Sequence, residues 1–153
     1  MKIIKLLILT LFCGLMLLGC LPDEKPKCKI NQIDGNPKSI IGTWQLVSKE
    51  YINQELGVTE FTDFSCDGVF YKFFENGKFL VLGDHPEIPN YSTDSYEFKY
   101  GEIKDNYYPS NSTLSLSSPS YPCVLESSQM TIDRMYLDGS KFIFYRVNDF
   151  TDN

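Results

Sequence analysis

Histidine, tryptophan and arginine are scarce in this sequence: His85 and Trp44 stand alone, and Arg134 and Arg146 supply its guanidinium groups. With a single histidine and no clustered thiolates, a metal site lacks ligands of the usual kind. His85 sits among two prolines in Asp84-His85-Pro86-Glu87-Ile88-Pro89, a pattern of a surface loop rather than an acid–base centre. Basic charge is also short. Against 20 Asp+Glu there are 14 Lys+Arg, a formal charge of −6 and a pI near 4.7, which leaves no basic face for nucleic acid. The acidic runs lack the spaced Asp-x-Asp-x-Asp-Gly of a calcium loop. No amphipathic helical pattern longer than a turn or two follows residue 40. What is present is 153 residues, 42% hydrophobic and 14% aromatic, which is room for one domain with a real core and too little for a multidomain enzyme. No catalytic residue, metal or cofactor is expected.

The first residues read as an address rather than a fold. Lys2 and Lys5 precede an uncharged apolar run from Leu6 to Leu18, too short for a comfortable transmembrane span. The ending Leu17-Leu18-Gly19-Cys20 resembles the lipobox of bacterial lipoproteins. That resemblance implies cleavage after residue 19 and lipid on Cys20, which becomes the first mature residue. Several acyl chains at about 0.8 kcal/mol per buried CH₂ hold a protein on a membrane essentially permanently. Loss of the leader removes two lysines and leaves the mature body at −8. Residues 21–39, rich in charge, Pro, Gly and Asn, read as a flexible tether with a reach of about 24 Å. Asp23 and Glu24 resemble the acidic export signals of some surface lipoproteins, and Leu21 is not the Asp that retains lipoproteins at the inner membrane. The expected location is the cell envelope, on the outer membrane and surface-exposed. A bacterial lipoprotein would not use the glycosylation sequons at Asn90 and Asn111.

From residue 40 to about 150 the chain alternates with period two. Ile41–Val47, Val69–Phe74, Lys78–Leu82, Tyr96–Tyr100, Thr113–Ser117, Tyr121–Leu125, Met130–Asp133 and Lys141–Arg146 read as eight short strands. Asn76-Gly77 and Asp138-Gly139 mark hairpin turns. Such a set suits an antiparallel up-and-down barrel, with a sandwich as the competitor. Parity points Trp44, Leu46, Tyr71, Phe73, Phe79, Val81, Tyr96, Phe98, Tyr100, Leu114, Leu116, Met130, Ile132, Phe142 and Phe144 inward.

Gly42-Thr43-Trp44 on the first strand resembles the Gly-x-Trp signature of lipocalins and the wider calycin group. Cys66 followed by Tyr71-Lys72-Phe73-Phe74-Glu75-Asn76-Gly77-Lys78-Phe79 is similar to lipocalin-like domains of bacterial lipoproteins, as are Met130-Thr131-Ile132 and Phe144-Tyr145-Arg146. The Thr-Asp-Tyr motif of lipocalins is missing, so the resemblance is to a lipocalin-like relative. It implies an all-β, eight-stranded barrel with Arg146 stacked on Trp44 to close one end. Export permits disulfides, and Cys28, Cys66 and Cys123 allow one bond with one thiol left over. Barrel topology favours Cys66–Cys123 over Cys28–Cys66, provided that one loop folds across the mouth.

Two functions follow. In the first, the barrel mouth binds a small apolar or amphiphilic ligand, with Tyr71, Phe73, Phe79, Tyr96, Phe98, Tyr100, Phe142 and Phe144 as candidate contacts. An eight-stranded barrel is just wide enough to be filled by its own side chains or to hold one small ligand. In the second, a filled barrel displays a glycan- or protein-binding surface, with exposed aromatics at Tyr107, Tyr108 and Tyr121. The protein is expected to be a monomer, bound to the membrane through Cys20.

Overall fold

The computed structural model describes residues 27–84, 95–101, 110–116, 120–135 and 139–149. The leader, Cys20, the loop around His85 and the tyrosines at 107 and 108 lie outside the described residues. The fold is all-β, and no α-helix occurs among the described residues. In chain order the strands are β1 (Gly42–Asn53), β2 (Val58–Asp63), β3 (Phe70–Phe73), β4 (Phe79–Leu82), β5 (Glu97–Tyr100), β6 (Ser112–Ser115), β7 (Tyr121–Leu125), β8 (Gln129–Asp133) and β9 (Ser140–Val147). They form one sheet in the order β4-β3-β1-β9-β8-β7-β6-β5, with β2 paired to β1 off that path. Every named pairing is antiparallel, and from β5 to β9 each strand pairs with the next. Lys78 and Ser95, just before β4 and β5, form an isolated antiparallel bridge between the two ends of this path. Beside it the Tyr96 N–H donates to the Gly77 carbonyl (2.8 Å), and the Phe73 and Tyr96 rings meet edge to face at 5.0 Å. The sheet is therefore curled into a barrel-like shape.

Strand β2 was not among the eight expected. Val58-Thr59-Glu60-Phe61-Thr62-Asp63 has little apolar content on either face, and only side-by-side pairing with the far half of β1 makes it a strand. That pairing depends on an irregularity in β1. The register against β9 shifts between Leu46 and Ser48, and Val47 is left buried with its carbonyl accepting from the Phe64 N–H at 2.7 Å. A residue inserted in one strand of an antiparallel pair bends it and strengthens its twist. Here it carries β1 away from β3 and towards β2.

The Asn-Gly turn forms with one residue more than the minimum. Glu75, Asn76 and Gly77 make a three-residue loop between Phe74 and Lys78, closed by the Phe74 N–H on the Lys78 carbonyl (2.9 Å). Gly77 sits at φ +76°, where a side chain would be strained. At the second expected turn Asp138 lies outside the described residues, while Gly139 donates to the Arg134 carbonyl at 3.1 Å.

The inward face follows the parity of the sequence along most strands. Trp44, Leu46, Tyr71, Phe73, Phe79, Leu114, Leu116, Met130, Ile132, Phe142 and Phe144 form one buried cluster with Ile40, Val69, Tyr121, Cys123 and Leu125. Val81, Tyr96 and Phe98 pack against it while partly open. Tyr100 departs from expectation: it is exposed, and the Lys38 ammonium lies 5.9 Å from its ring. Tyr100 is the last residue of β5, next to the positive-φ Gly101, and lies beyond the reach of the core. Tyr121, expected as a surface aromatic, is instead buried, with the Arg134 guanidinium 4.6 Å from its ring.

Candidate functional site

Residues 27–41 are where the structure departs furthest from a free tether. From Lys27 onward this segment is a strap laid along the sheet. The Lys27 N–H donates to the Asp63 carboxylate (2.8 Å) and the Cys28 N–H to the Ser65 hydroxyl (2.9 Å). The Ile33 N–H reaches the Arg146 carbonyl (2.9 Å) and the Gly35 N–H the Ser127 carbonyl (2.8 Å). The Ser127 hydroxyl donates to the Asp34 carboxylate (2.9 Å). Low apolar content suggested mobility, yet the strap is held through its backbone, which composition does not register.

A covalent bond fixes the start of the strap. Cys28 is bonded to Cys66, with Cα atoms 5.2 Å apart. This corrects the expected Cys66–Cys123 bridge. Cys123 points into the core from β7, fully buried, and Cys66 lies on the exposed loop before β3. Strands β1, β9 and β8 stand between β3 and β7 in the sheet. Cys123 is a free thiol whose pKa burial pushes up to about 12, so it stays protonated at neutral pH.

The strap ends beneath the pair that the sequence singled out. Arg146 lies over Trp44 with its guanidinium carbon 4.2 Å from the ring centroid. Its Nη1 donates to the Ile41 carbonyl (2.8 Å), and its Nη2 to the carbonyls of Ser39 (2.7 Å) and Asn36 (3.3 Å). The Trp44 indole N–H donates to the Ile40 carbonyl at 2.7 Å. Arg146 thus ties the strap to the sheet through three backbone oxygens, with no carboxylate partner among the described residues. Burial lowers its pKa somewhat from the usual arginine range. Gly35 passes so close that a Cβ there would fall 2.6 Å from Arg146 Nε. The sequence pointed to the Trp–Arg pair, but gave no sign that its hydrogen bonds hold the strap.

Five of the eight candidate ligand contacts lie in the buried core cluster. Tyr71 meets Phe144 edge to face at 5.1 Å, and Phe73 stacks on Phe79 at 6.0 Å. These four and Phe142 are buried. The Tyr71 hydroxyl is buried without a hydrogen-bond partner, and burial raises its pKa well above the usual phenol range.

Two grooves lie beside the strap. One groove of about 280 Å³ runs between the strap and the outer face of the sheet, lined by Lys29, Ile30, Asn31, Gln45, Phe70 and Asn148 among others. A second, of about 210 Å³, lies between Lys38–Ile41 of the strap, the β3–β4 turn, Tyr96 and Phe98. Tyr96 and Phe98 are thus candidate contacts that line this groove. Among the described residues no group of three or more His, Cys, Asp or Glu is placed to hold a metal. No helix among them is long and apolar enough to cross a membrane. No family model, curated protein or solved structure matches the chain.

Proposed function

We propose that this chain is a lipid-anchored, non-catalytic protein of the cell envelope. Its body is a lipocalin-like, closed eight-strand barrel with β2 as an appendage, and its recognition surface is on the outside. The lipidated residue is Cys20 and the membrane is the outer one. The observation that carries the outside reading is the burial of Tyr71, Phe73, Phe79, Phe142 and Phe144 in one core cluster, with Tyr71 against Phe144 and Phe73 against Phe79, at the positions where an internal ligand would make its contacts. The Cys28–Cys66 disulfide supports export, because such bonds persist in oxidising compartments and are rare in the cytosol. The strap grooves offer aromatic rings beside amide and charged side chains, a composition suited to glycan or protein contacts.

One observation favours the competing reading, a small amphiphile inside the barrel: the unpartnered Tyr71 hydroxyl is a polar group with which such a ligand would bond. Titration with an environment-sensitive fluorescent amphiphile separates the two. A filled interior gives weak, non-saturating fluorescence, while saturable one-to-one uptake that Tyr71→Phe weakens would establish the internal site. Labelling with a radioactive fatty acid tests the anchor, and label that survives Cys20→Ala would refute it.

A further inference from the structure

The disulfide changes how the body can stand on its membrane. Lipid on Cys20, the anchor proposed above and on which this inference rests, would leave a long tether if residues 21–39 were free. With Cys28 bonded to Cys66, seven residues, or eight Cα-to-Cα steps, separate the lipid from a fixed point on the body. Fully extended they span at most about 28 Å, and as a random coil about 16 Å. A folded unit of this size has a radius of gyration of roughly 13 Å. The side of the body carrying Cys28 is therefore kept near the bilayer.

That side has an apolar face. Just past Cys28, Lys29 and Ile30 share a groove with Phe70 on the outer face of β3. Across the β3–β4 ladder Phe70 is the register partner of Leu82, and Lys72 is the partner of Leu80. Leu80 is 46% exposed, Leu82 42% and Phe74, just beyond β3, 37%. Their neighbours of opposite parity, Tyr71, Phe73 and Phe79, make the core, so the core does not need these outer side chains. Lys72 sits among them with its ammonium 5.6 Å from the Phe74 ring, where its stem covers apolar surface and its head stays polar.

We propose that the outer face of the β3–β4 hairpin, centred on Phe74, Leu80 and Leu82, rests on the bilayer that carries the Cys20 lipid. A lipid surface is the occupant because the short tether holds the face beside it, a constraint that no soluble partner shares. The tip of the β1–β2 hairpin, where Ile52, Leu56 and Val58 are also exposed, lies at the end of β1 away from its pairing with β3.

The mature lipoprotein in phosphatidylethanolamine–phosphatidylglycerol vesicles with brominated acyl chains provides the test. Tryptophan is placed at the membrane face in Leu82→Trp, or at the hairpin tip in Ile52→Trp, both at exposed positions, with the parent protein giving the Trp44 background. The added tryptophan at 82 is expected to emit to the blue and lose most of its intensity to the bromolipid, while that at 52 is unaffected. An unquenched tryptophan at 82, or equal quenching at both positions, overturns the proposal. So does a shift at 82 that appears only when envelope protein is added, because the face would then serve a protein partner. Intact mass is read first. Missing lipid on Cys20 defeats the anchor and the orientation together, whereas lipid present with position 82 unquenched defeats the orientation alone.

Discussion

Replacing both bridge cysteines, Cys28→Ser with Cys66→Ser, should cost about 4 kcal/mol of folding stability. The bond closes a sequence separation of 38 residues, and in the chain-entropy model a loop of that length restricts the unfolded state by about 4 kcal/mol at 25 °C. For small proteins with total stabilities of roughly 5–15 kcal/mol, this is a large share. The loop contains all of β1 and β2, so the constraint acts on these strands as well as on the strap. Native contacts at the strap's start, Lys27 to Asp63 and Cys28 to Ser65, survive the substitution in principle, so the loss arises chiefly in the unfolded state. Urea denaturation followed by Trp44 fluorescence measures it, with the midpoint falling and the slope rising slightly as the unfolded chain expands. Cys123 does not complicate the comparison, since it is buried and unpaired in both proteins. A loss below about 1 kcal/mol, within reach of ordinary substitutions, would refute the reasoning. So would a Cys66–Cys123 peptide in a non-reduced digest.

Further expectations can be checked with the same unfolding assay. Tyr71→Phe removes a buried hydroxyl that has no partner, and should be neutral or stabilising by up to about 1 kcal/mol; destabilisation by more than that would mean that the hydroxyl holds a water or ligand. Arg146→Met keeps volume near Trp44 but strands the carbonyls of Ser39 and Ile41, and should cost about 1–3 kcal/mol, with faster proteolysis inside residues 33–41; an unchanged midpoint would show that the strap is not held there. Trp44→Ala should cost roughly 3–5 kcal/mol through cavity formation, and a loss under about 1 kcal/mol would mean that Trp44 is not core. Stability should also fall as pH rises above 9, the ordinary thiol value from which Cys123 is raised to about 12, because the unfolded state then releases a proton that the folded state keeps, at about 1.4 kcal/mol per pH unit; Tyr71, raised above 10, adds to this. A midpoint that stays flat from pH 8 to 10.5 would contradict the burial of these groups.

Much of the sheet was legible because period-two alternation is a direct consequence of the pleat. Trp44, Leu46, Tyr71, Phe73, Phe142 and Phe144 alternate with polar or outward residues, and each faces inward as parity requires. Parity fails where a strand is interrupted or runs past its partners. The irregularity at Val47 lets Leu46, Val47 and Ser48 all be buried in succession, and β2 has no apolar face of its own to announce it. Tyr100 alternates correctly but stands at the end of β5, where no core remains to cover it. The strap was invisible for a different reason. It is held by a disulfide and by hydrogen bonds to backbone atoms, and carbonyls such as those of Ser127, Ser128 and Arg146 are present at every residue, whatever the side chain. With Cys28 thought to be on a free tether, Cys66 was assigned to the wrong partner.

Native mass spectrometry of the mature protein, extracted from its own membrane in mild detergent, tests the outside-recognition reading most directly. The account predicts a single species with the mass of the lipidated chain and one disulfide, unchanged when the protein is denatured. A small molecule bound one-to-one, lost on denaturation and weakened by Tyr71→Phe, would contradict it and put the ligand inside the barrel.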